Sequence, residues 1–127
     1  MLLEAGRTQY ARLEESLKSV GLSAAKYYVL SQLAKARDPV PLSMLARQQE
    51  CVPSNMTTLV DRLEADGLVK RLDDPADRRS KRAILTPLGE EKAAEGAKVV
   101  AELQSAFADS LGPTERLALE KVLSSLQ

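Results

Sequence analysis

At Gly67 the hydrophobic pattern of this 127-residue chain changes period, and that change restricts the fold more than any other feature. Upstream, Met56, Leu59, Val60 and Leu63 recur at helical spacing and put one apolar stripe on a helix opening at Pro53, a first-turn position that needs no N–H partner. Asp66 and Gly67 end it, since glycine takes the left-handed cap conformation without a side-chain clash. Downstream, residues 68–73 and 82–86 are short runs rich in Val, Leu, Ile and Thr around a polar stretch containing Asp-Pro. They predict a β-hairpin with a long tip at 74–81.

Elsewhere the pattern is helical. Leu3, Tyr10 and Leu17 stand seven apart, with Leu13 and Val20 on an interleaved row. Such a narrow seam suits contact with another helix or another subunit. Gly21 and Ser23 read as a stop and a new N-cap, and the next helix turns Tyr27, Leu30, Leu33 and Ala34 inward until the breaker at 39–41. A short helix at about 42–49 follows. After Pro87, residues 88–109 form a long helix, and Gly112 with Pro113 separates a last one whose apolar face is Leu119, Val122, Leu123 and Leu126.

Composition supports a mainly α fold in a single domain, because aromatics are 3% and no Trp is present, whereas β-sandwich strands favour β-branched and aromatic residues. The chain has no His and one Cys, which excludes histidine acid–base chemistry, histidine triads and the usual zinc sets. No phosphate-cradling glycine loop, dinucleotide fingerprint or nucleophile–base pair is present, so the reading is not an enzyme, with no cofactor and no metal. Cys51 reads as a small apolar filler, with no second Cys to resolve it. No window approaches the roughly 18 apolar residues of a spanning helix, and the start lacks a charged region followed by a long apolar stretch. The expectation is a cytoplasmic protein without membrane contact.

Eighteen basic and eighteen acidic residues cancel overall, yet residues 70–82 hold Lys70, Arg71, Arg78, Arg79, Lys81 and Arg82 against Asp73, Asp74 and Asp77. Two short helices, the second ending at Gly67 and passing into a hairpin with a basic tip, form the outline of a winged helix-turn-helix. Its second helix needs one buried face and one face of short polar side chains able to approach base edges. Ser54, Asn55, Thr57 and Thr58 supply the latter, flanked by Arg62. Arginines at a hairpin tip suit phosphates or the negative potential of a narrow minor groove.

From Leu45-Ala46 through MTTLVDRLEADGLVKR at 56–71 to DPADRRSKRAILTPLG at 74–89, the sequence resembles the MarR family of bacterial transcriptional regulators. The sharpest element is Asp77-x-Arg79, followed by Leu85-Thr86 and Gly89; Leu22-Ser23 at the second helix matches as well. Lys26 departs from the family, whose members often have Gln or Glu there. The resemblance implies a homodimer with N- and C-terminal dimerisation helices at about 1–20 and 88–127, flanking a winged helix-turn-helix at about 22–86 whose wing is a two-stranded hairpin. It also implies double-stranded DNA with a pseudo-palindromic operator as partner. Ser54, Asn55, Thr57, Thr58, Arg62, Asp77, Arg78, Arg79 and Lys81 become the expected DNA-binding residues, with Asp77 positioning Arg79. Leu3, Tyr10, Leu13, Leu17, Leu119, Leu123 and Leu126 become the expected dimer contacts. A small aromatic or phenolic effector near Tyr10, Leu13, Tyr27 and Tyr28 would modulate a repressor. The alternative is a winged-helix module that binds protein, kept open by eight basic against seven acidic residues over 41–86.

Overall fold

The computed structural model describes residues 2–125. The elements run α1 (Leu2–Lys18), α2 (Ala24–Ala36), β1 (Val40–Pro41), α3 (Leu42–Gln48), α4 (Pro53–Ala65), β2 (Val69–Asp74), β3 (Asp77–Leu85), α5 (Pro87–Asp109) and α6 (Pro113–Ser125). Local chemistry sets most boundaries. Ser23 caps α2 by accepting from the Lys26 amide, and the Glu14 carboxylate of α1 accepts from the Ala24 amide at 2.6 Å. Two otherwise unpaired first-turn amides thereby find partners, one of them an anion at the positive end of the helix. Pro53 opens α4, and Gly67 follows it at φ +77°.

Thr86 joins three elements. Its hydroxyl donates to the Gly67 carbonyl at 2.6 Å and accepts from the Gly89 amide at 3.0 Å, so the end of α4 and the start of α5 share one side chain. Gly89 belongs to the same junction, because a Cβ there would stand 1.9 Å from the Leu68 carbonyl oxygen.

Two parts of the β region differ from the sequence expectation. The wing is not a two-stranded hairpin alone: β1 pairs antiparallel with β3, Val40 opposite Ala83 and Pro41 opposite Arg82, in a sheet ordered β1-β3-β2. Helix α2 is closed by Arg37, which takes the left-handed cap conformation at φ 61°, and beyond it Pro41 holds an extended backbone whose missing N–H an edge strand tolerates. The predicted tip at 74–81 shrinks to Pro75 and Ala76, with β3 starting at Asp77. Asp74 accepts from the Ala76 amide at 2.9 Å, a side-chain-closed turn that polar composition alone did not distinguish from a long loop.

The core lies where α2, α3, α4 and the sheet meet, around Leu30, Leu33, Leu45, Met56, Val60, Leu63, Val69 and Ala83. The end of α1 and the start of α5 complete it through Leu17 and Ala93, and α5 packs on both α1 and α2. Leu17, expected among the dimer contacts, is 0% exposed within the single chain and belongs to its own core. The heptad spacing that placed it in the seam is also the spacing of a residue turned toward α2 and α5. Leu13 is half-buried against that core. Leu3 and Tyr10 are exposed, as are Val122 and Leu123, and no described residue of α6 is buried. Leu119 is half-buried, and Leu126 lies outside the described residues. Among the described residues no helix is long and apolar enough to cross a membrane.

Candidate nucleic-acid interface

One face of α4 is fixed by the core: Met56, Val60 and Leu63 are buried and Leu59 is half-buried, as the spacing required. The other face is thereby turned outward, and Ser54, Asn55, Thr57, Thr58 and Arg62 are all exposed. The hydroxyls of Thr57 and Thr58 donate back to the Pro53 and Ser54 carbonyls, each at 3.1 Å. With their protons turned inward, both oxygens present lone pairs to any incoming donor.

In the wing, Asp77, Arg78, Arg79 and Lys81 are also exposed. Asp77 does contact the residue expected, but through the backbone: its Oδ1 accepts from the Arg79 amide at 2.9 Å. That bond fixes the strand at Arg79 and leaves the guanidinium outside the contact. Arg78 and Arg79, consecutive on a strand, point to opposite faces of the sheet.

The six basic residues at 70–82 are not equivalent. Lys81 is ion-paired with Asp73, its register partner on β2, and that contact holds the Asp73 carboxyl below its usual range. Arg82 is half-buried opposite Leu72 and Pro41, with its Nε buried and unpartnered. Arg71 is bound to Asp61 and Glu64 of α4. Lys70, Arg78 and Arg79 have no ion-pair partner among the described residues, so the free positive charge of the wing lies on fewer side chains than the composition suggests.

The four residues expected around an effector are not gathered in one place. Tyr27 lines a groove of about 790 Å³ with Ser31, Ile84, Leu85, Ala93 and Ala97, between α2, β3 and α5. Its ring lies where a Cβ on Gly96 would come within 2.6 Å, so a glycine in α5 makes room for it. Tyr28 lies in a separate, more polar recess with Gln32, Gln48, Gln49 and Glu50. Neither recess includes Tyr10 or Leu13. Sequence reasoning missed the Arg71 ion pairs and the Lys26–Asp66 pair at 3.0 Å, which joins α2 to the end of α4. The only trace of the former is opposite charge seven residues apart across the Gly67 turn.

A short helix, a second helix with an exposed polar face and a three-stranded wing define a winged helix-turn-helix protein. The MarR family model matches residues 22–81, which is α2 through most of the wing. AbsC, a MarR family transcriptional regulator from Streptomyces coelicolor, is 31% identical with a TM-score of 0.84, over 98% of this chain and 85% of that one. The chain belongs to the MarR family. The transcriptional repressor MdtR of Bacillus subtilis is 35% identical over 78 residues, covering 61% of this chain and 50% of that protein. The matched stretch thus spans about half the length of this curated relative. The fold is also that of an E. coli MarR variant solved with operator DNA, at a TM-score of 0.85 and 23% identity over 98% of this chain and 89% of that one.

Proposed function

We propose that this protein is a DNA-binding transcriptional regulator acting in the cytoplasm as a homodimer. Its winged helix-turn-helix at about 22–86 is carried by dimerisation helices at about 1–20 and 88–127. The reading rests on one observation: the exposed polar face of α4 is followed by a wing whose Arg78 and Arg79 have no ionic partner among the described residues. Ser54, Asn55, Thr57 and Thr58 enter the major groove, with Arg62 at its margin. Arg79 and Arg78 take the minor groove and phosphates, and Lys81 contributes when it leaves Asp73. That an E. coli MarR variant of the same fold was solved with operator DNA supports duplex DNA as the partner.

Exposed apolar residues at the two ends of the chain support dimerisation. Leu3 is 79% exposed, Leu117 65% and Leu123 52%, values that fit side chains awaiting a second subunit. Repression is the direction suggested by the relative MdtR. The groove beside Tyr27, within the usual size of small-molecule sites and lined mostly by apolar side chains, suits an aromatic or phenolic effector. Footprinting on duplex DNA from upstream of the protein's own gene tests the proposal. Two protected half-sites about 34 Å apart, one helical turn, are expected. A chain that protects no sequence and retains no duplex at low salt contradicts it.

A further inference from the structure

We infer that Arg71 serves the DNA-facing helix by pairing with two carboxylates of α4 and offsetting one of their two charges, without itself being a DNA ligand; the inference rests on the DNA-binding reading above. The reading helix is an acidic one in its second half. Asp61 and Glu64 lie on α4, Asp66 caps it, and Arg62 is the one basic residue among them. Asp61 follows Ser54 and Thr58 by seven and three positions, which puts a carboxylate on the face assigned to the groove. Left bare beside a polyanion, that carboxylate opposes binding.

Each of these acids is paired with a cation from another element. Lys26 of α2 holds Asp66 at 3.0 Å. Arg71 of β2 takes the other two: one guanidinium nitrogen pairs with Asp61 Oδ1, the second with Glu64 Oε1 at 2.9 Å, and the Arg71 amide donates to Glu64 Oε2 at 3.1 Å. Two guanidinium nitrogens and the amide are thus engaged, a use of the planar fork that an ammonium on a flexible stem cannot reproduce. The Glu64 hydrogen bonds hold its carboxyl below the usual range. The cluster is at the surface, with Asp61 51% and Glu64 38% exposed at the side chain, so its field reaches solvent and anything docked there. Arg71 lies where the chain leaves α4 for the wing, and a strand residue fixed by the fold cancels charge on the helix next to it.

A charge-neutralising role and a phosphate contact predict opposite patterns across three variants, compared on the duplex defined by footprinting. Arg71→Gln is expected to lower affinity about tenfold or more, because two carboxylates then face the DNA uncompensated. Asp61→Asn with Glu64→Gln in the otherwise unaltered chain is expected to bind as tightly as wild type or tighter. Combining all three substitutions is expected to return affinity to within about threefold of wild type, although no cation is restored. A triple variant as weak as Arg71→Gln, with a log affinity against log salt slope about one unit shallower than wild type, makes Arg71 a phosphate ligand and overturns the inference. So does an Arg71→Gln protein that binds like wild type. If Arg71→Gln does not fold, the Asp61→Asn/Glu64→Gln pair decides alone: weaker binding means that the ion pairs act by holding shape, and the inference fails. A wild-type chain that binds no duplex removes the DNA-binding reading itself, a result distinguishable from any ordering of the variants.

Discussion

Helices α4 and α6 obey the same local rules and meet different fates. Each has 13 residues and opens with a proline, Pro53 and Pro113. Each carries apolar residues at helical spacing. Yet α4 buries Met56, Val60 and Leu63 completely, whereas no described residue of α6 is buried. Propensity and period make a helix; only the surroundings decide what its stripe covers. In α4 the stripe is spent inside the chain, and the polar face is what remains for another molecule. In α6 the apolar stripe itself remains, and on the proposed reading DNA falls to the first helix and a second subunit to the second.

The largest expected effect lies in the buried stripe. Leu63→Ala should destabilise the fold by about 2–5 kcal/mol, since it opens a cavity between α4, β2 and the core that the surroundings only partly refill, and a chemical denaturation curve measures it. Leu123→Ala, the matching truncation in α6, should cost the isolated chain less than about 1 kcal/mol. A comparable destabilisation at Leu123 and at Leu63 under conditions where the chain is monomeric would break the contrast between the two helices. Leu123→Glu should raise the dimer dissociation constant about tenfold or more, read by sedimentation across concentrations.

At the interface, Arg79→Ala should weaken binding broadly and make the log affinity against log salt slope shallower by about 0.9, because one cation in the minor groove no longer offsets the charge of the flanking phosphates. Thr58→Ala should act mainly on base preference, shifting discrimination by about 1 kcal/mol with the slope unchanged. The smallest effect concerns pH. Glu64 and Asp73 have folded-state values below their ordinary ones, because Arg71 and Lys81 hold the charged forms. Their contribution is therefore present at neutral pH and lost as pH falls below about 4 through the lowered values. Both groups are at the surface, so thermal unfolding scans from pH 6 to 3 should show only a shallow loss, reduced further in Asp73→Asn.

What was legible in the sequence was local. Ser23, Pro53 and Gly67 mark helix ends because each satisfies or removes a backbone group within a turn of itself. Met56, Val60 and Leu63 could be placed inward because period alone decides which face they share. The features that escaped depend on residues far apart in the chain. Val40 becomes a strand only because Ala83 lies beside it, and Arg71 looks like one more wing cation until Asp61 and Glu64 are brought to it. Leu17 fits the same heptad row as Leu3 and Tyr10, and only the packing of α2 and α5 separates a core residue from an exposed one. At the interface, the exposed residues of α4 could be named from spacing, but not which wing cations were already engaged by carboxylates.

Sedimentation velocity, run on the chain alone and then with the footprinted duplex, tests the link between the uncovered α6 stripe and the reading face of α4 most directly. A species of two chains is expected in free solution and two chains on each duplex, both shifted to about tenfold or more higher concentration by Leu123→Glu. A single chain in solution that also binds the duplex as a single chain, unaffected by that substitution, would contradict that link.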